Sequence, residues 1–133
     1  MNMKMIIFLL FTIGLSSTNV FSQENSTSLV CTGKYNNYKQ NIRDVDVTGG
    51  VIQLQPSTVR VGIMGFSYSN GELLDYKILS SSESKISFQH SDKGLKYFGV
   101  LNRYSGDVDL SESYDNKFIQ IFKGKCTPAK RMF

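Results

Sequence analysis

The sequence predicts an all-β fold, a small antiparallel barrel or barrel-like sandwich of about eight strands closed by one disulfide. Runs of alternating apolar and polar residues recur about every 8 to 12 residues, separated by turn sequences rich in Gly, Asn, Asp and Ser. Helices are poorly supported, because Ala129 is the only alanine and no segment beyond residue 22 keeps helical apolar spacing for more than two turns.

Residues 1–22 are typical of a secretory signal peptide. Lys4 supplies a positive start, residues 5–15 form an uncharged apolar run, and Val20 and Ser22 occupy the −3 and −1 positions of a cleavage site. A membrane-spanning anchor would need about 20 apolar residues, more than this run contains. We therefore expect an exported protein, periplasmic or extracellular after cleavage.

Residues 23–133 suffice for a single β domain with a workable core. Both cysteines, Cys31 and Cys126, lie in this part, and an oxidising compartment favours their pairing. Their bond would close about 95 residues, a stabilisation of roughly 4.7 kcal/mol in the chain-entropy model. A free thiol or a metal ligand is the alternative, but His90 is the only histidine and no C-x-x-C spacing occurs. A lipid anchor on Cys31 is disfavoured because Val30 precedes it.

The charge is modest, with 15 basic and 11 acidic residues and a net charge of +4 at pH 7. Several basic residues stand beside tyrosines, as in Lys96-Tyr97, a pattern that stacking on single-stranded nucleic acid could use. Neighbours in a strand point to opposite faces, so the same pattern follows from aromatic side chains inside and charges outside. We expect no nucleic-acid partner.

The first predicted elements follow from alternation and glycine. Val45 and Val47 alternate with aspartates, residues 48–51 (TGGV) predict a two-glycine hairpin turn, and Ile52 and Leu54 continue beyond it. A break at Pro56 precedes a half-buried strand over residues 59–63, and turns at residues 69–71 and 91–94 enclose two further strands. The centres of these strands are Tyr76 and Phe88, and residues 80–84 form a serine-rich loop between them.

Residues 96–110 hold the densest polar cluster of the chain, including Asn102 and Arg103. We interpret residues 102–106 as the connection of a hairpin with a left-handed residue at Gly106. Under this interpretation Arg103 contributes to stability and not to an activity.

Residues 117–126 form the last predicted strand, which is apolar on both faces, with Phe118 and Phe122 on one face and Ile119 and Ile121 on the other. A bond from Cys126 to the first strand would lock a barrel closed. A membrane barrel is disfavoured, because the predicted strands mostly run five to seven residues where about 9 to 11 are needed.

Three motifs resemble a loose set of small exported bacterial proteins: C-T-G at 31–33, F-G-V-L-N-R-Y-S-G at 98–106, and F-K-G-K-C-T-P-A-K-R-M-F at 122–133. That set is similar in a C-x-G near the mature start, an F-x-G-x-L-N-R-x-S-G hairpin, and a closing cysteine before a tail ending in Phe. The resemblance covers about 30 residues. It implies an exported compartment and a β fold, and it carries no activity.

Catalytic residues are scarce. His90, Ser91 and Asp92 have the composition of a triad, but adjacent strand residues diverge, and His90 is interpreted as a solvated surface residue. Residues 65–69 (GFSYS) lack the last glycine of a nucleophile elbow. Two pairs of carboxylates occur at i and i+2: Asp44 with Asp46, and Asp107 with Asp109, to which Glu112 could add a third acid. We interpret them as solvent-exposed faces of strands and not as a calcium site. We expect no enzyme activity, no cofactor and no metal.

The leading hypothesis is therefore a non-enzymatic small-ligand-binding barrel. The alternative is a protein-interaction role, as an inhibitor or accessory factor in the cell envelope, because the seven tyrosines could form part of a protein interface. A deep apolar cavity would favour the first function, and a filled core with exposed tyrosines would favour the second.

Overall fold

The computed structural model describes residues 26–130 and contains a closed antiparallel β-barrel in which each strand pairs with the next and the last pairs with the first. The fold class predicted from the sequence is confirmed. The predicted signal peptide, residues 1–22, and the terminal Phe133 lie outside the described residues. The strands are β1 (Thr27–Asn37), β2 (Ile42–Leu54), β3 (Thr58–Gly62), β4 (Leu74–Ser81), β5 (Lys85–Asp92), β6 (Leu95–Asn102), β7 (Asp107–Tyr114) and β8 (Lys117–Pro128).

The barrel closes where β1 pairs with β8, a pairing that we call the closure seam. Its ladder runs from Leu29 opposite Pro128 to Asn37 opposite Gln120. Cys31 lies directly opposite Cys126 in this ladder, and the two are joined by a disulfide, so the predicted bond is confirmed. The bond is consistent with an oxidising compartment, while export itself stays a prediction.

The interior of the barrel is filled at mid-height. Four aromatic side chains are the largest that are fully buried: Phe66, Tyr76, Phe88 and Phe122. The inward residues towards one end are aliphatic, whereas those towards the other end are largely polar: Tyr35, His90, Tyr97, Glu112 and Gln120. Strand alternation therefore produces an apolar core that becomes polar at one mouth.

The hairpin predicted at residues 48–51 is wrong. These residues lie inside β2, where the pairing with β1 shifts between Cys31 and Gly33, and Gly49 has a φ of 76°. The two glycines thus permit a β-bulge that bends a long strand, and not a chain reversal. The actual turn spans residues 38–41 and ends with Asn41 in the left-handed region, at a φ of 58°.

The strands are also longer than predicted, with 11, 13 and 12 residues in β1, β2 and β8 and eight in most others. Polar residues at strand ends continue the ladders, which a hydrophobic pattern does not reveal. The predicted pairing of Phe118 with Phe122 on one face is wrong as well. The β7–β8 register shifts beside Ser113, so Phe118 lies on the outer face and is 63% exposed.

The hairpin connection at residues 102–106 is confirmed. Gly106 donates its amide proton to the carbonyl of Asn102 at 2.9 Å and has a φ of 80°. The Asn102 side chain accepts from the amides of Tyr104 and Ser105, at 2.9 and 3.0 Å. The polar density of this stretch is therefore explained by turn geometry.

The outer face carries charge. Ion pairs join Lys34 to Asp46, Arg60 to Asp75 and Lys125 to Asp107. Within residues 26–130, no helix has the length and apolar character needed to cross a membrane.

Candidate functional site

The polar end of the barrel holds a cleft of about 600 Å³, which we call the aromatic mouth. Four short connections meet at this end, and the longest is the segment of residues 63–73 between β3 and β4. The side chains that give the cleft its chemistry are Met64, Tyr68, His90, Asp92 and Tyr97. The cleft therefore combines aromatic rings with a carboxylate at its rim.

The aromatic rings form one connected cluster. The His90 ring lies 5.9 Å from that of Tyr76 and 5.8 Å from that of Tyr97, centroid to centroid. Tyr97 also meets Phe66 edge-on at 6.3 Å. Such edge-to-face and tilted contacts hold rings in fixed orientations, so the cleft wall is preorganised.

A buried carboxylate lies one layer behind the cleft. Glu112 is only 7% exposed, faces inward from β7, and stands directly opposite the cleft residue Tyr97. Its Oε1 accepts a hydrogen bond of 2.6 Å from Nε2 of Gln120. Gln120 also accepts a hydrogen bond from the hydroxyl of Tyr35, so its amide orientation is fixed from both sides.

The same network holds the 63–73 segment over the barrel end. Gln120 donates from Nε2 to the carbonyl of Gly65 at 2.6 Å, and the hydroxyl of Tyr76 donates to the carbonyl of Phe66 at 3.0 Å. Phe66 itself is fully buried. Two backbone carbonyls are thus anchored by interior side chains, which keeps this segment in place beside the cleft.

The phenols of the mouth stay protonated at neutral pH. Burial raises the pKa of Tyr97, and the negative charge of Glu112 raises it further. Burial likewise raises the pKa of Tyr76, with smaller contributions from Tyr97 and Glu112. Both hydroxyls therefore remain hydrogen-bond donors across the physiological range.

The structure corrects the interpretation of two residues. His90 is not a solvated surface residue, because it faces inward from β5 and is half-buried among tyrosines. Glu112 does not share the face of Asp107 and Asp109, since those two are exposed and it is buried. No group of three or more potential metal ligands occurs among residues 26–130.

His90 and Ser91 lie on opposite faces of β5, and Ser91 accepts a hydrogen bond from Gln89 at 3.1 Å. Ser91 therefore diverges from His90 as predicted, whereas Asp92 lies on the same face of β5 as His90 and lines the same cleft. Residues 65–69 follow a strand but lead to β4, with no helix after them. Ser67 and Ser69 of this segment nevertheless line the same cleft as His90 and Asp92.

The mouth was missed at the sequence level, although a signal existed. His90 is two residues from buried Phe88, so both side chains point to the same face of their strand. The same holds for Tyr97 with buried Gly99 and for Glu112 with buried Leu110. Polar residues that alternate in step with the core residues, near one end of several strands, indicate a polar mouth of the barrel. Only the pairing of β5, β6 and β7 shows that they meet.

The opposite end of the barrel has aliphatic inward residues and holds two adjoining clefts of about 490 and 480 Å³, which are lined by both apolar and polar side chains. Both are lined by Thr27, Leu54 and Arg103. Arg103 donates from Nε to the carbonyl of Ser82 at 2.8 Å and from Nη2 to the hydroxyl of Ser81 at 2.9 Å. It therefore ties the 102–106 turn to the turn between β4 and β5.

Replacement of Arg103 by alanine is expected to lower the free energy of unfolding by about 1 kcal/mol, because two hydrogen bonds between turns are lost at an exposed site. Urea denaturation measures the loss. Tyr104→Ala, in the same turn and 74% exposed, is the matched control and should be nearly neutral. An unchanged midpoint for Arg103→Ala would contradict the structural role.

An apolar groove of about 390 Å³ lies on the outer face across β6, β7 and β8. Phe98, Val100, Phe118 and Ile121 line it together with Tyr38, over whose ring the guanidinium of Arg43 lies at 5.0 Å. The outward apolar residues of the last strand, Phe118 and Ile121, therefore belong to this groove.

Comparisons with protein-family models, curated proteins and solved structures found no match for this chain.

Proposed function

We propose that the protein is a non-enzymatic module that binds a small ligand in the aromatic mouth. The observation that carries the proposal is the cleft of about 600 Å³ backed by convergent polar groups of the interior. Clefts of about 300 to 1,000 Å³ are the usual size of small-molecule sites. The core is filled and several tyrosines are exposed, which by the criterion given above favours an interaction role. The ligand-binding proposal therefore rests on the cleft at the mouth and not on a deep chamber.

The side chains that line the aromatic mouth favour it as the ligand site over the two clefts at the opposite end of the barrel. At the aromatic mouth, His90, Asp92 and Tyr97 project polar atoms or rings towards one space. At the opposite end, the charged side chain of Arg103 already donates hydrogen bonds to Ser81 and Ser82. A small number of polar groups at fixed positions on an apolar wall determine the orientation of a bound small ligand.

Native mass spectrometry of the oxidised protein, purified gently after export, tests the proposal. We expect a small bound adduct, and we expect Tyr68→Ala to weaken its binding about tenfold by removing a ring at the rim. Tyr68 is 53% exposed, so its loss should leave the melting temperature nearly unchanged. Tyr104→Ala, at the opposite end, is the matched control and should retain the adduct. An adduct retained equally by both variants would contradict binding at this mouth.

A protein-interaction role in the envelope is the second candidate, favoured by the outer groove with its exposed Phe118. Aromatic side chains are enriched at such interfaces. The same spectrum distinguishes the two functions, because a complex with another protein and no small adduct would favour the groove.

A further inference from the structure

We propose that the ligand of the aromatic mouth is a small organic cation carrying an amine or ammonium group, an inference that rests on the ligand-binding function proposed above. The first observation is the charge of the cleft. Asp92 is the one carboxylate among its lining residues, and the lining includes no lysine or arginine. An anionic ligand would therefore find no fixed positive charge on the wall.

The second observation is the buried carboxylate. Glu112 receives a hydrogen bond from the neutral amide of Gln120, and its cross-strand neighbour Tyr97 is a neutral phenol. Among residues 26–130 the ion pairs join other acids, so Glu112 has no basic partner there. Keeping a buried carboxylate ionised with only neutral donors is costly, and a cation bound beside Tyr97 would offset part of that cost.

The third observation is the aromatic wall. Tyr97 and His90 are held by ring contacts, and Tyr68 stands at the rim. The faces of the Tyr68 and Tyr97 rings carry partial negative charge, and phenol rings beside one space attract ammonium groups. Negative charge behind the wall strengthens this attraction because water is excluded from that layer. Rings, rim carboxylate and buried carboxylate thus favour the same class of ligand.

Three probes that share a tert-butyl group and differ in charge test the inference: tert-butylammonium, tert-butanol and pivalate. Each is titrated into the oxidised, ¹⁵N-labelled chain, and amide shifts around the cleft are followed by NMR. We expect tert-butylammonium to bind about tenfold more tightly than tert-butanol, and pivalate to bind most weakly. The shifts should centre on residues of the mouth such as Gly71, His90 and Tyr97.

The contribution of the buried carboxylate is tested with Glu112→Gln, which keeps the shape and an acceptor oxygen for Gln120. We expect the preference for tert-butylammonium over tert-butanol to fall at least threefold while the affinity for tert-butanol is unchanged. Asp109→Asn is the matched control, because Asp109 lies on the outer face of the same strand and should leave the preference intact. Thermal melts of both variants verify folding, and Asp92→Asn gives a second test at the rim if Glu112→Gln fails to fold.

The outcomes separate the two proposals. If tert-butanol or pivalate binds the mouth as tightly as tert-butylammonium, the cation inference is overturned and ligand binding stands. The inference also fails if Glu112→Gln and Asp92→Asn both leave the preference unchanged. If no probe shifts the mouth and native mass spectrometry shows no adduct, both proposals are overturned.

Discussion

Replacement of both Cys31 and Cys126 by alanine is expected to lower the free energy of unfolding by about 4 kcal/mol. The disulfide spans a sequence separation of 95 residues, so it strongly restricts the unfolded chain. It also joins the two strands of the closure seam, and both cysteines are buried. For a domain of this size we expect the melting temperature to fall by roughly 20 °C.

Urea denaturation of the oxidised protein, the reduced protein and the double variant measures this effect. The reduced protein and the double variant should unfold at similar urea concentrations, and dithiothreitol should leave the double variant unchanged. Because the hydrogen-bonded ladder of the seam remains, both forms should keep their β-sheet circular dichroism at low temperature. Equal midpoints for oxidised and reduced protein would contradict a stabilising role for the bond.

Replacement of Gly33 by alanine is expected to lower the free energy of unfolding by about 3 kcal/mol, because the closure seam leaves no room for a side chain there. A Cβ at Gly33 would lie under 3.0 Å from the carbonyl oxygen of Lys123 and from the Cα of Gly124, which stands opposite it. These are backbone atoms, so relief requires β1 and β8 to move apart. That movement would disturb the pairing that closes the barrel.

The matched control is Gly49→Ala. Gly49 has a φ of 76°, but a Cβ there would meet nothing within 4 Å, so this variant reports only backbone strain, about 1 kcal/mol. The difference between the two variants isolates the steric cost of the seam. A loss for Gly33→Ala no greater than that for Gly49→Ala would show that the seam adjusts without cost.

The sequence predicted the parts of the fold that depend on local chemistry. The alternation around Val59, Tyr76 and Phe88 gave three strands correctly, because a strand with one buried face needs a period of two. Turn chemistry at residues 102–106 was correct because Asn102 and Gly106 satisfy the turn within five residues. The cysteine pair was correct because two cysteines in one domain allow only one intramolecular bridge.

The errors have a common physical cause. Gly49 and Gly50 have the same local preference in a bulge as in a turn, and only the opposite strand decides between them. Phe118 changes face because one extra residue of β8 is accommodated against β7. Register shifts depend on the partner strand, which a single sequence does not specify.

The sequence by itself determined an all-β chain, its approximate number of strands, the 102–106 turn and the disulfide that joins β1 to β8. Only the tertiary structure decided that His90 and Tyr97 line one mouth with Glu112 buried opposite Tyr97, and that the centre of the barrel is filled. Parity along a strand fixes whether a side chain points in or out, but the distance between inward side chains depends on how strands tilt and stagger around the barrel. That stagger arises when the barrel closes, so the chemistry of its mouth is a property of the closed fold.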